Sequence, residues 1–270
     1  MPLRTLYRRL RGGWHRAQSA ARGGRGVLVR AAADWLVPVH PEGWEDLKYW
    51  LRYEQPTMAA LTRVLRPGMQ VLDVGAHHGV FSLCCCARRH AASRIVTVEP
   101  SPAAWPLLEK NRSVCGSLPW VQVPAAAGAA PGELTLHTGF VDMLVIDNNL
   151  HPDTEDAVVR VQVETLDRIC ERLALVPDLV KLDVEGYEAE ALAGSTAMLA
   201  RHRPILILEW HCGMLRRRGV DPVAALGPLL AAGYVFEAYE HPELPAFTAD
   251  RIDHLPATDI YRLVCTPPVQ

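Results

Sequence analysis

From about residue 60 onward, short β-branched and apolar runs alternate with stretches whose apolar positions recur at helical spacing. Apolar runs of four to eight residues read as strands, and a 3.6-residue period reads as a helix packed on one side. The strand runs fall at 71–74 (VLDV), 95–99 (IVTVE), 119–123 (PWVQV), 179–184 (LVKLDV), 205–210 (ILILEW), 234–238 (YVFEA) and 261–265 (YRLVC). Helical patterns lie at 80–90, 102–114, 187–201 and 222–232, the last with Asp221 as N-cap, Pro222 at its first position and Gly233 just past its end. The alternation predicts an α/β fold, Rossmann-like, with a doubly wound, mostly parallel seven-stranded sheet. Residues 240–258, with Pro242, Pro245 and Pro256, read as a long loop within a terminal hairpin, so the last strand is expected to return antiparallel.

One connection is too long for a plain crossover. Residues 124–178 separate the third and fourth strand runs, and within them 132–137 (GELTLH) and 158–163 (VVRVQV) alternate as a β-hairpin insertion. With Asn148, Asn149 and His151 in its middle, it is expected to cap the carboxyl edge of the sheet, where ligands of this architecture bind. The expected division is a basic N-terminal extension with helices over 1–52 and one large domain over 53–270.

Composition narrows the function classes. At 270 residues and 49% hydrophobic, the chain can bury one sizeable core. The net charge of -2 hides an asymmetry: residues 1–30 carry eight Arg and no acid, whereas the rest keeps 20 of the 28 basic groups against all 30 acidic ones. An acidic body repels phosphates, so no nucleic-acid partner is expected. DNA methylation is disfavoured further by the lack of any N-P-P-Y or D-P-P-Y segment. On a helical wheel, Leu3, Leu6, Tyr7, Leu10 and Trp14 oppose Arg4, Arg8 and Arg11, a pattern able to make weak peripheral membrane contact through residues 1–16, though Gly12 and Gly13 weaken such a helix. Seven Cys, an odd count, point to thiols in a reducing, cytoplasmic setting. The 25 Arg against three Lys suggest a GC-rich bacterial coding sequence.

The strongest chemical signal is Val71-Leu72-Asp73-Val74-Gly75-Ala76-His77-His78-Gly79, a buried strand running through a glycine turn into a helix. Asp73 stands where a dinucleotide fingerprint has its first Gly; it would repel a pyrophosphate and favour a cationic ligand such as S-adenosylmethionine. Gly75 and Gly79 let the backbone approach a ligand. Glu99 ends the next strand 24 residues after Gly75, close to the spacing at which a carboxylate takes ribose hydroxyls. Further on, Lys181-Leu182-Asp183-Val184-Glu185-Gly186-Tyr187-Glu188 and Glu209-Trp210-His211 close two adjacent strands. Strand alternation would send Asp183 and Glu185 to one side. Asp183, Glu185 and His211 are the candidates to take a proton from an acceptor hydroxyl. Glu188 and Glu190 read as a solvated helix face, and Trp44, Tyr49 and Trp50 either line the cofactor mouth or pack the N-terminal helices on the sheet, packing being favoured because aromatics are usually core residues. No metal site is expected: His77, His78 and the adjacent Cys84, Cys85 and Cys86 lack ligand spacing.

Together with Thr165-Leu166-Asp167, these stretches resemble the FkbM family of S-adenosylmethionine-dependent methyltransferases. The family pattern is a D-x-G-A-N-x-G turn, an E-P pair, a T-L-D, a K-x-D-x-E-G strand and a later strand-end acid, matched here by 73–79, Glu99-Pro100, 165–167, 181–186 and Glu209. The resemblance covers about residues 53–212 and implies a class I methyltransferase that acts on oxygen of a sugar, lipid or secondary metabolite. It implies cofactor contacts from Asp73, Gly75, Ala76, His77, Gly79, Glu99 and Pro100, with Asp183 near the transferred methyl. Glu54 would lie over the cofactor or sit exposed at a helix start. His77 replaces the usual Asn, which the turn is expected to tolerate. The rival readings are a catalytically idle nucleoside-binding module and an NAD-dependent oxidoreductase.

Overall fold

The computed structural model describes residues 26–32, 35–87, 92–138, 144–145, 157–240 and 260–268. The basic arm over 1–16, Asn148, Asn149, His151 and nearly all of the 240–258 loop lie outside them. A seven-stranded sheet holds β3 (Gln70–Val74), β4 (Arg94–Val98), β5 (Trp120–Val123), β10 (Leu179–Leu182), β11 (Ile205–Trp210), β12 (Val235–Ala238) and β13 (Tyr261–Thr266) in the order β12-β13-β11-β10-β3-β4-β5. The five strands from β11 to β5 run parallel, and β13 is antiparallel to both its neighbours.

Alternation divides the side chains of the parallel strands between two cores. Leu72, Val74, Val96, Val98, Val180, Leu182, Leu206 and Leu208 pack on one face. Val71, Ile95, Leu179 and Ile207 pack on the other. The second core also takes Val27, Val37, Val39 and Leu47, from a hairpin of β1 (Val27–Ala32) and β2 (Trp35–Val39) and from α1 (Trp44–Tyr53). That hairpin escapes the hydropathy pattern because Arg30 and Asp34 interrupt the apolar run.

The long connection contains the expected hairpin, β7 (Gly132–Thr138) antiparallel to β9 (Ala157–Glu164), flanked by β6 (Ala126–Ala127) and β8 (Leu144–Val145) in a separate four-stranded sheet. It also contains a helix, α5 (Leu166–Leu173), capped by the Thr165 hydroxyl, which accepts from Arg168 N–H.

Four helices depart from their expected bounds. The 80–90 pattern yields α3 (Val80–Cys85), and the 102–114 pattern yields α4 (Trp105–Ser113). The 187–201 pattern splits into α6 (Glu188–Ala193) and α7 (Thr196–His202). The break at Gly194 lets the chain pass against β6: a Cβ there would lie 2.1 Å from the Gly128 carbonyl oxygen. In the 222–232 pattern, Asp221 does cap, its Oδ1 accepting from Val223 N–H at 2.9 Å. A 3-10 turn (Ala224–Leu226) then gives way to a short helix (Gly227–Ala231), since Pro228 has no N–H with which to continue one helix.

Candidate active site

The carboxyl ends of β3, β4, β10 and β11 converge. At β3, Asp73 is fully buried; its Oδ2 accepts from the Ser82 hydroxyl on α3 at 2.6 Å, while its Oδ1 has no hydrogen-bond partner. Burial pushes this carboxyl above its usual range, against the opposing pull of Lys181 and Ser82. Lys181 pairs with Asp73 in the parallel register, its Nζ donating to the Gly75 carbonyl at 2.7 Å and lying 3.0 Å from Asp183 Oδ2. Burial alone would lower Lys181, but the Asp183 and Asp73 carboxylates outweigh it and keep the ammonium charged. Asp183, which burial would raise, is held below the usual carboxylate range by the same Lys181.

The turn after Asp73 is closely fitted. Gly75 has φ +74°, and a Cβ on it would lie 1.8 Å from the Asp183 carbonyl oxygen, so β3 and β10 can meet only through a glycine. Gly75 and Ala76 donate their N–H groups to the Val98 carbonyl. His77 takes the left-handed conformation, φ 47°, as the turn demands, and its N–H donates to Glu99 Oε2 at 2.6 Å. Glu99 Oε1 accepts from Ser101 N–H at 2.8 Å, so this buried carboxylate is fixed by two backbone donors, with Pro100 half-buried between them. Burial raises the Glu99 carboxyl and these two donors pull it back. Gly79, φ +76°, is needed for a different reason than approach to a ligand: its Cβ would meet Leu108 of α4 at 2.5 Å.

Beyond Asp183 the strand reading needs correction. The strand ends at Leu182, and Glu185 is presented by a turn in which it adopts φ +52° and Gly186 φ +93°. Glu188, expected in solvent, is completely buried; its Oε1 accepts from Val184 and Gly186 N–H and lies 2.8 Å from His211 Nδ1. The turn folds α6 back under its own loop, so this carboxylate faces inward. Glu190 does lie nearer the surface, paired with Arg218.

His211 Nε2 points to Glu185 Oε2 at 3.4 Å and Glu209 Oε1 at 3.9 Å. Burial would lower His211, but the hydrogen bond and charge of Glu188 push it up to about 9. Burial, reinforced by Asp183, pushes Glu185 and Glu209 each up to about 7. Glu209 Oε1 also accepts from Arg262 at 3.0 Å, and Arg262 reaches Glu54 at 3.6 Å. Glu54, half-buried at the start of α2 (Gln55–Val64), accepts from the Thr57 hydroxyl, so it joins the strand-end network through Arg262. Asp183, Glu185 and His211 offer ligand atoms all within 4.8 Å of one another.

The structure thus brings Asp183, Glu185 and His211 together and sets Asp73, Gly75, His77 and Glu99 around one turn. Sequence reasoning missed Ser82, Glu188 and Arg262. A buried Glu188 inside K-x-D-x-E-G-x-E carried a signal in its spacing, whereas Arg262 stands in a strand that no motif marks. Tyr49, expected to pack, is 65% exposed on the outer side of α1, and the Trp50 side chain lies outside the described residues. Trp44 packs on the second core and borders a cleft of about 290 Å³ with Val29, Lys48, Arg52 and Gln55.

An α/β sheet with one antiparallel strand slotted near its edge, and an acid in place of the first fingerprint glycine, defines a class I methyltransferase architecture. The chain belongs to the FkbM methyltransferase family: the profile described as "Methyltransferase FkbM domain" matches residues 73–236. It is 25% identical over 167 residues to the hexuronic acid methyltransferase AglP of Haloferax volcanii, covering 61% of this chain and 65% of that protein's length. Among solved structures, it is similar to the methyltransferase FkbM of Methylobacillus flagellatus KT (TM-score 0.45, 15% identity, 83% of this chain and 54% of that one). It is also similar to Aeropyrum pernix fibrillarin bound to S-adenosyl-L-methionine (TM-score 0.42, 10% identity, 75% and 68%). Family membership makes S-adenosylmethionine the cofactor. The residues present fit it: the buried Asp73 Oδ1, 3.9 Å from Lys181 Nζ but without a hydrogen bond, can still accept from an ammonium donor. Each Glu99 oxygen, taking one backbone N–H, keeps a lone pair for a hydroxyl.

Proposed function

We propose that this chain transfers a methyl group from S-adenosylmethionine to a hydroxyl oxygen of a carbohydrate-like acceptor, a sugar acid or a glycan or lipid bearing one. The observation that carries the reading is the Lys181 bridge. One ammonium spans Asp73, on the cofactor turn, and Asp183, at the edge of a cluster of proton-accepting groups, so donor and acceptor sites adjoin. The bound cofactor supplies an electrophilic methyl on a sulfonium. The chain's own residues then do four things. Asp73 and the Gly75 turn hold the methionine end, and Glu99 holds the ribose. Asp183 lies nearest the reacting centre, and the Asp183, Glu185 and His211 cluster receives the hydroxyl proton. Positioning supplies most of the acceleration, as expected for transfer between two bound partners. AglP, named for hexuronic acid, supports a sugar-acid acceptor.

The charge around the mouth favours ether over ester formation. Asp183, Glu185 and Glu209 crowd the strand ends, and a free acceptor carboxylate aimed at the methyl would meet like charge, above all from Asp183, which Lys181 keeps ionised. The test is transfer of label from methyl-labelled S-adenosylmethionine to glucuronic and galacturonic acid glycosides, followed by mild alkali. Alkali-stable label, an ether, is expected; alkali-labile ester or label on nitrogen contradicts the proposal. Binding of NAD without S-adenosylhomocysteine would favour the oxidoreductase, and cofactor binding with no labelling of any acceptor would favour the idle module.

A further inference from the structure

We propose that Asp183, Glu185 and His211 form a site for one divalent cation of the Mg²⁺ or Mn²⁺ kind, which holds the acceptor hydroxyl. This rests on the methyl-transfer reading above and departs from the expectation of no metal.

Two observations carry it. First, the three ligand atoms lie within 4.8 Å of one another. A cation at about 2.1 Å from each needs them roughly 3–4 Å apart, so binding would draw the three side chains together. Second, His211 Nε2, on a side chain only 3% exposed, makes no hydrogen bond among the described residues; its neighbours are the Glu185 and Glu209 carboxylate oxygens at 3.4 and 3.9 Å. Its other nitrogen is tied to the buried Glu188, itself fixed by two backbone N–H groups. A histidine held through Nδ1 by a buried carboxylate, with Nε2 aimed at two further carboxylates, is the arrangement that orients a metal-ligating imidazole. Two carboxylates and one imidazole on one side leave the other side open for substrate oxygen and suit a hard, oxygen-preferring ion.

Such a cation binds the acceptor oxygen and acidifies its hydroxyl. The oxygen–methyl bond then forms as the carbon–sulfur bond breaks, the electron pair stays on sulfur, and the hydroxyl proton leaves to water, the three side chains serving as cation ligands in place of the proton-accepting role given them above.

The test uses the full chain stripped with EDTA and titrated with Mn²⁺, followed by the loss of the free-ion electron paramagnetic resonance signal. One Mn²⁺ per chain is expected, displaced by Mg²⁺. Glu185→Gln and His211→Gln should each weaken binding by about tenfold or more, and Glu188→Gln by about tenfold through His211. Glu190→Gln, whose carboxylate pairs with Arg218, should leave binding unchanged. Absence of binding by folded wild type, or binding unaltered in both Glu185→Gln and His211→Gln, overturns the proposal. Melting with S-adenosylhomocysteine in the same samples separates the two claims. A retained cofactor shift without Mn²⁺ binding rejects the cation site alone, and a missing cofactor shift rejects the methyl-transfer reading.

Discussion

Gly75 shows how much one residue can decide. Its φ is positive, and a Cβ placed on it would come within 1.8 Å of the Asp183 carbonyl oxygen, so any side chain pushes β3 and β10 apart where cofactor and acceptor meet. Gly75→Ala should cost about 2 kcal/mol or more in denaturant unfolding and should abolish cofactor binding even where the protein still folds. Glu188 is the counterpart among charged residues. Its removal leaves His211 Nδ1 and the Val184 and Gly186 N–H groups without an acceptor in a buried site. Glu188→Ala is expected to lose about 3 kcal/mol in urea unfolding, and Glu188→Gln distinctly less, because the amide oxygen still accepts. Sequence patterning singled out Asp73, Gly75, Glu99, Asp183 and Glu185 as candidates, since each belongs to a strand-end motif. It placed Glu188 in water because helical periodicity ranks residues by polarity, and a carboxylate buried against backbone donors looks identical to a solvated one in that ranking.

At the scale of elements, strands were more legible than helices. All seven strands of the large sheet overlap the apolar runs that marked them, although β10 stops at Leu182; the central parallel strands are the clearest, because a strand buried on both faces is a nearly continuous hydrophobic signal. Helix ends were set by contacts that periodicity does not carry. Two of these are the pass of Gly194 against Gly128 and the two hydrogen bonds from Ala197 and Met198 N–H to Asp167, which start α7 from a side chain on α5. This gives the T-L-D segment a physical role: Thr165 caps its own helix and Asp167 caps another. Asp167→Ala should destabilise the protein by about 1–2 kcal/mol, read as a lower urea midpoint with an unchanged slope, while cofactor affinity in the folded protein stays near wild type.

Across the whole molecule, hydropathy yielded the architecture but not the neighbours. That β13 inserts between β11 and β12 is a matter of long-range pairing, which no local pattern encodes. We propose the division into a 1–52 extension and a 53–270 catalytic domain, and the described part of the extension buries Val27, Val37, Val39 and Leu47 in the shared second core. Among the described residues no helix is long and apolar enough to cross a membrane, and all seven cysteines are free thiols. The sheet brings four strand ends to one place, and the function of that place depends on what the Asp73 turn binds. The measurement that bears on it most directly is thermal melting with S-adenosylhomocysteine, beside NAD and beside Asp73→Ala. At about 100 times its dissociation constant, the ligand should stabilise wild type by about 2.7 kcal/mol, a rise of a few degrees. The predicted result is a rise with S-adenosylhomocysteine alone that disappears in Asp73→Ala; a rise with NAD instead, or one undiminished in Asp73→Ala, would contradict it.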